Sequence, residues 1–190
     1  MLTAPQLCEL VDRPYPWFES RRRRARDMFA PASGADAAAL DAASLEYLPV
    51  KSLEPGRHGR YDAEDALLLA IALEGEAMGL TFGDATRIAI NAGAATLLKP
   101  KKFKAAIEET ADDMFAARVW FPDGQVGHVA GTFSDVLLST ARRGGPPTRA
   151  VAINISIVLR RLHERAEALG LAAALGWAEP EDAPTPRKDD

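Results

Sequence analysis

The stretch DAEDALLLAIALEGEAMGLTFGDATRIAI, residues 62–90, decides the fold. Asp62 and Asp65 stand three apart ahead of an apolar run, a variant of the reciprocal helix cap, with acids where the helix dipole favours them. Leu67, Leu68, Ile71 and Ala72 recur at helical spacing as far as Met78, and Gly79 with Leu80 behind it is a left-handed stop. Thr81 and Asp84 then open a second helix through Ala85, Ile88 and Ala89 that ends near Gly93.

Upstream, Glu54-Pro55-Gly56 and His58-Gly59 mark a reversal. The segment LEYLPVKSL, residues 45–53, alternates as a short strand interrupted by Pro49, and Arg60-Tyr61 returns as a second strand; the hairpin so formed is a wing. Residues 30–43, rich in Ala, Ser, Gly and Asp, read as a loop. Before them a helix runs from Trp17 to about Met28, with Pro16 in its first turn and Trp17, Phe18 and Met28 facing inward. Asp12-Arg13-Pro14 separates it from a helix over residues 4–11, capped by Thr3 and carrying Pro5 where a missing N–H costs little. Leu7, Leu10 and Val11 form its stripe, and Cys8 reads as a buried small hydrophobe. Two short helices joined by a tight break are a helix-turn-helix candidate.

Downstream, residues 101–113 pattern as a helix with Phe103, Ile107 and Met114 inward. Residues 115–121 and 125–132 read as strands joined by the turn Pro122-Asp123-Gly124. A short helix over 133–142, a loop at Gly144–Pro147 and an alternating strand over 149–155 follow. Ser156 is placed to cap a last helix with the stripe Val158, Leu159, Leu162, Ala166 and Leu169, closed by Gly170. The division is 1–99, 100–176 and a disordered tail over 177–190, whose Pro- and charge-rich composition supplies little to bury. The fold class is α+β: an N-terminal winged helix-turn-helix and a small C-terminal α/β module.

The chain has 190 residues and a formal net charge of −4. That total hides an uneven distribution. Residues 1–30 carry six arginines against four acids, with Arg21, Arg22, Arg23, Arg24 and Arg26 clustered on the second helix, whereas residues 61–99 hold two basic and six acidic residues. A polyanion within a Debye length senses the local patch rather than the total. Four consecutive arginines occupy every side of one helical turn, so some flank the core or reach a partner, and their forks suit phosphate oxygens and guanine edges. Arg60 at the turn is a further phosphate-contact candidate, and Lys99, Lys101, Lys102 and Lys104 either extend the basic surface or solvate a helix start. Trp17, Trp120 and Trp177 read as core or interface residues rather than base-stacking platforms.

The wording TAPQLCELV at residues 3–11 resembles the opening helix of MerR-family DNA-binding domains. GRYDAED at 59–65 resembles that family's passage from wing to third helix, and GLTF at 79–82 its step into the fourth. The likeness covers residues 1–93. It implies a bacterial winged-helix regulator whose second helix enters the major groove of duplex DNA. By that resemblance Tyr15, Trp17, Arg21 and Arg22 lie on or near the recognition helix and Arg60 grips the backbone from the wing; Arg23, Arg24 and Arg26 join the DNA-binding candidates through the arginine run. The family's long antiparallel dimerisation helix has no counterpart after Gly93, so residues 100–176 are the expected source of dimer or partner contacts, including the transcription machinery.

Catalytic chemistry finds little purchase. His58, His128 and His163 stand far apart with no zinc-binding spacing, the glycines match no phosphate loop, Ser134 and Ser139 have no base partner in view, and one cysteine excludes an intrachain disulfide. The expectation is a non-enzyme without cofactor or metal. No apolar run approaches the roughly 20 residues of a membrane span, and no basic-then-apolar leader opens the chain, so the expected setting is cytoplasmic. The leading reading is a homodimeric, sequence-specific transcriptional regulator. An architectural or excisionase-like DNA-binding protein of phage origin, a protein-interaction adaptor with an acidic partner, and a small-molecule sensor remain as alternatives.

Overall fold

Thr3 stands in extended backbone ahead of helix α1 (Ala4–Leu10), and it and Gln6 cap each other reciprocally. The computed structural model that shows this describes residues 1–28, 45, 47–50, 60–141 and 147–177. Asp12 takes a left-handed conformation at φ 55°, and the Arg13 amide donates to the Cys8 carbonyl at 2.9 Å. That tight turn releases the chain into α2 (Tyr15–Met28), which buries Phe18, Arg22 and Ala25. Met28, expected inward, is instead 61% exposed, because the buried stripe of α2 runs through positions 18, 22 and 25 and leaves 28 off it.

The strand expected over 45–53 is corrected where it is described. Leu45 and Tyr47 are helical, and residues 48–50 belong to no strand. Pro49 offers no N–H to a ladder, and the Val50 amide folds back across it to the Leu48 carbonyl at 2.8 Å. Leu48 and Val50 are buried all the same. The reversal at 54–59, the whole of the 30–43 loop with its flanks, and residues 178–190 of the expected tail lie outside the described residues. On the near side of that gap Tyr61 forms an antiparallel bridge with Leu2, closed by amide–carbonyl bonds of 2.7 and 2.9 Å.

Asp62 caps α3 (Ala63–Ala77) with its carboxylate on the Glu64 and Asp65 amides, and Asp65 returns the bond to the Asp62 amide. Gly79 at φ 86° ends the turn after it. Thr81 accepts from the Asp84 amide to start α4 (Phe82–Ile90). The two helices cross where α3 offers Gly75: a Cβ there would sit 2.8 Å from the Ala85 Cβ and 3.3 Å from the Ile153 Cδ1. Short helices α5 (Ala94–Leu97) and α6 (Pro100–Ile107) follow. The helix expected to reach residue 113 therefore stops six residues early, since Glu109 turns left-handed at φ 55° and Thr110 caps back to the Ala105 carbonyl.

Strands β1 (Met114–Trp120), β2 (Val126–Thr132) and β3 (Arg149–Asn154) form an antiparallel sheet in the order β2-β1-β3. Gly124 at φ 82° supplies the β1–β2 turn. Alternation sends Ala116 to the main core, while Ala117, Val119 and Phe121 pack with Val136 of α7 (Phe133–Ala141) in a second cluster. Asn154, not Ser156, caps α8 (Ile155–Ala168) by accepting from the Ile157 amide. Ser156 is buried and its hydroxyl instead receives the Met114 amide at 3.0 Å. The correction is geometric: the chain is already helical at Ile155, so the cap must lie one residue before it. A last turn, α9 (Ala172–Leu175), ends at Gly176, φ 73°.

One continuous core joins residues on both sides of positions 99 and 100. Leu7 of α1, Phe18 of α2 and Ile71 of α3 share it with Ile153, Leu159 and Leu162. Cys8 lies within it, and burial pushes its thiol up to about 11 against the opposing charge of Arg22. Two outcomes are expected. A thiol-directed reagent at neutral pH labels the native chain far more slowly than the urea-unfolded chain. Because the folded thiol is the weaker acid, its contribution to stability is complete below about pH 9 and is lost as pH rises towards 11. Labelling at equal rates in both states would contradict that burial.

Candidate nucleic-acid interface

The arginine cluster divides by helical geometry. Phe18, Arg22 and Ala25 occupy the buried stripe of α2, so Arg22 is only 2% exposed. Its guanidinium donates to the Glu19 carboxylate and to the Tyr61 phenol. Burial opposes that charge most strongly, yet the bond to Tyr61 and the charge of Glu19 outweigh it and hold Arg22 above the usual arginine value. Tyr61 is raised by its own burial, with Arg22 pulling the other way. Phe18 meets the Tyr61 ring edge-on at 5.5 Å. Arg22 is thus a strut between α2 and the Leu2–Tyr61 bridge. The expectation that it faces a partner is corrected.

Arg21 is likewise turned inward, one residue round. Its guanidinium lies 3.9 Å from the Phe82 ring centroid and 4.9 Å from that of Trp17, and 3.5 Å from Glu76. Partial burial pulls its pKa down, with Glu76 acting against that. Trp17 packs edge-on against Phe82 at 5.9 Å. Arg13 also reaches Glu76, at 3.7 Å. Glu76, from the acidic α3, therefore holds two of the basic residues of the N-terminal segment.

What remains outward is smaller and better defined. Arg23, Arg24 and Arg26 are exposed on the far side of α2. Among the described residues Arg23 and Arg24 make no ion pair, and Arg26 meets only the exposed Asp27, at 3.8 Å. Tyr15 opens the helix, 39% exposed, with its hydroxyl donating to Glu19 at 3.2 Å. Arg60 is exposed and directly precedes Tyr61, so the bridge that seats Tyr61 under α2 also sets the backbone of Arg60. The structure brings Tyr15, Arg23, Arg24 and Arg26 onto one helix and withdraws Arg21 and Arg22 into the fold.

Compared with known protein families, curated proteins and solved structures, the chain matches none. Among the described residues no group of His, Cys, Asp and Glu is arranged to hold a metal ion, and no helix is long and apolar enough to cross a membrane.

A residue that sequence reasoning missed is Arg165 of α8. Its Nε donates to the Glu9 carbonyl and its terminal nitrogen to the Asp12 carboxylate, both at 3.0 Å. The C-terminal helix thereby holds the α1–α2 turn that presents α2. No local pattern announces a bond across 153 residues. The withdrawal of Arg22, by contrast, was readable: it follows Phe18 by four and precedes Ala25 by three, the spacing of one helix face.

Proposed function

We propose that the chain is a MerR-like, sequence-specific regulator of transcription that binds duplex DNA as a homodimer. The observation that carries the reading is the outward row Arg23, Arg24 and Arg26 on a helix delivered by a tight helix–turn–helix. Among the described residues Arg23 and Arg24 make no ion pair and Arg26 meets only the exposed Asp27, so these guanidinium groups are available to phosphates or guanine edges, and a helix of 14 residues fits the major groove. Arg60, tethered beside α2, supplies a flanking phosphate contact. Exposure matters because an arginine already neutralised inside the fold releases no counterions on binding.

The second copy is assigned to the outer side of α7 and β3. Phe133, Leu137 and Leu138 are each more than half exposed, and Ala150 and Ala152 of β3 share the sheet face that α7 leaves open. None of these side chains is charged. Across a two-fold axis every group meets its own copy, so an uncharged face pairs without like-charge repulsion. Two linked half-sites then supply the affinity that one short helix lacks.

Fluorescence anisotropy on duplex DNA selected from a random pool tests the reading. Four outward arginines per chain make eight per dimer, which gives a log affinity against log salt slope of about −7. Substituting Arg23, Arg24 and Arg26 by Ala leaves one arginine per chain, so the slope shrinks to about −2 and affinity falls at least about a hundredfold. A Leu137→Glu, Leu138→Glu variant should elute as a monomer where the parent has a mass near twice 20.4 kDa. Selection that enriches no sequence, or a slope indifferent to the three arginines, rejects DNA reading and leaves an acidic protein partner as the occupant of the basic row.

A further inference from the structure

On the opposite side of α8 from the α1–α2 turn, a cavity of about 540 Å³ opens between α6, α8 and the turn that follows α9. Its volume falls in the range of small-molecule sites. Gly176 adopts φ 73°, and the Trp177 amide caps back to the Ala172 carbonyl at 2.9 Å; together they bring the indole under α6. There Trp177 stacks on Phe103 with centroids 5.5 Å apart and planes 25° from parallel. His163 of α8 joins them, 5.5 Å from Phe103 and 6.1 Å from Trp177. Phe103, Trp177 and Ile107 make an apolar wall, with the polar imidazole of His163 beside it.

The rim is acidic. Glu108, Glu164 and Glu167 line it against a single lysine, Lys104. Lys104 is answered by Glu108 at 3.5 Å, and Glu167 approaches the His163 ring at 3.7 Å. Glu164 makes no ion pair among the described residues. Simple core packing accounts for the mutual contact of the rings. It gives no reason for carboxylates rather than apolar groups to gather at the mouth of an aromatic cavity.

We propose that this cavity binds an organic ammonium ion carrying an apolar, ring-sized body. The body lies against Phe103, Ile107 and Trp177. The ammonium group sits at the rim, where Glu164 and Glu167 accept its N–H bonds and the negative faces of the rings favour its charge. An anion of the same shape meets an excess of carboxylates, and a neutral isostere gains the ring contacts alone. The site is independent of the arginine row of α2, so it stands or falls separately from DNA binding.

Isothermal titration of the full chain without DNA, with phenethylammonium, 2-phenylethanol and phenylacetate as probes, tests the proposal. Phenethylammonium should bind at least tenfold tighter than 2-phenylethanol, and phenylacetate weakest of the three. In Glu164→Gln, Glu167→Gln, whose exposed sites leave the far-ultraviolet circular dichroism unchanged, the ammonium preference should collapse while affinity for 2-phenylethanol stays the same. No heat from phenethylammonium at millimolar concentration would overturn the assignment. So would a preference that survives in the double variant.

Discussion

Arg22→Ala should unfold the chain more readily while leaving the outward arginine row chemically intact. The substitution deletes a side chain that is 2% exposed and removes its hydrogen bond to the phenol of Tyr61, whose ring is itself buried. A hydrogen bond to a charged group is worth about 1.5–3 kcal/mol, and the space vacated between α2 and the Leu2–Tyr61 bridge adds a cavity cost. Glu19, more than a third exposed, recovers its hydration and contributes little. The sum is about 2–4 kcal/mol, a melting temperature lower by roughly 5–15 °C for a chain of this size. Arg23→Ala and Arg24→Ala, exposed and without an ion pair among the described residues, should stay within about 0.5 kcal/mol of the parent. Thermal unfolding followed by circular dichroism separates the two classes. A melting temperature for Arg22→Ala equal to that of Arg24→Ala would show that Arg22 is no strut.

Gly75→Val should cost more still. Even one added carbon would lie 2.8 Å from the Ala85 Cβ, a methyl fixed to the backbone of α4 with no rotamer to yield. Alanine gains about 1 kcal/mol of helix propensity over glycine, against about 1–3 kcal/mol for overpacking, so Gly75→Ala should be mildly destabilising. Valine adds branches directed at the same contact and at Ile153, forcing α3 and α4 apart at the centre of the core. A loss of at least about 3 kcal/mol follows, read as a lowered midpoint in urea with the same slope. If Gly75→Val melted no lower than Gly75→Ala, the close crossing of α3 and α4 would be wrong.

Most of the fold was legible in the sequence because its punctuation is local. Asp62 with Asp65, Thr81, Gly79, Gly124 and Gly170 each mark a boundary by chemistry that acts within a few residues. The strands at 114–120 and 126–132 were legible from the turn Pro122-Asp123-Gly124 between them, and the strand at 149–154 through alternation. Failures came where a distant contact overrode a local pattern. Residues 45–53 alternate, yet Pro49 and the burial of Leu48 and Val50 fix a different conformation. Asp112 and Asp113 look helical, but Asp113 is engaged by Arg160 and by the Asn154 amide. The candidate interface was half legible: charge density located α2, while its buried periodicity, which separates Arg22 from Arg23 and Arg24, was outvoted by the run of identical residues. Arg165, and the rings contributed by Phe103, His163 and Trp177, come from separate elements and leave no sequence pattern.

The continuity of the core bears on how such a protein can be inherited. A module travels between chains as a cassette when it closes over its own interior. Here Gly75 of α3 abuts Ile153 of β3, and the turn ahead of α2 is gripped by Arg165. A fragment cut at residue 99 would carry its arginines away with one wall of its interior missing. The two halves can therefore change partners only together, and a substitution in either is tested by selection in the context of the other.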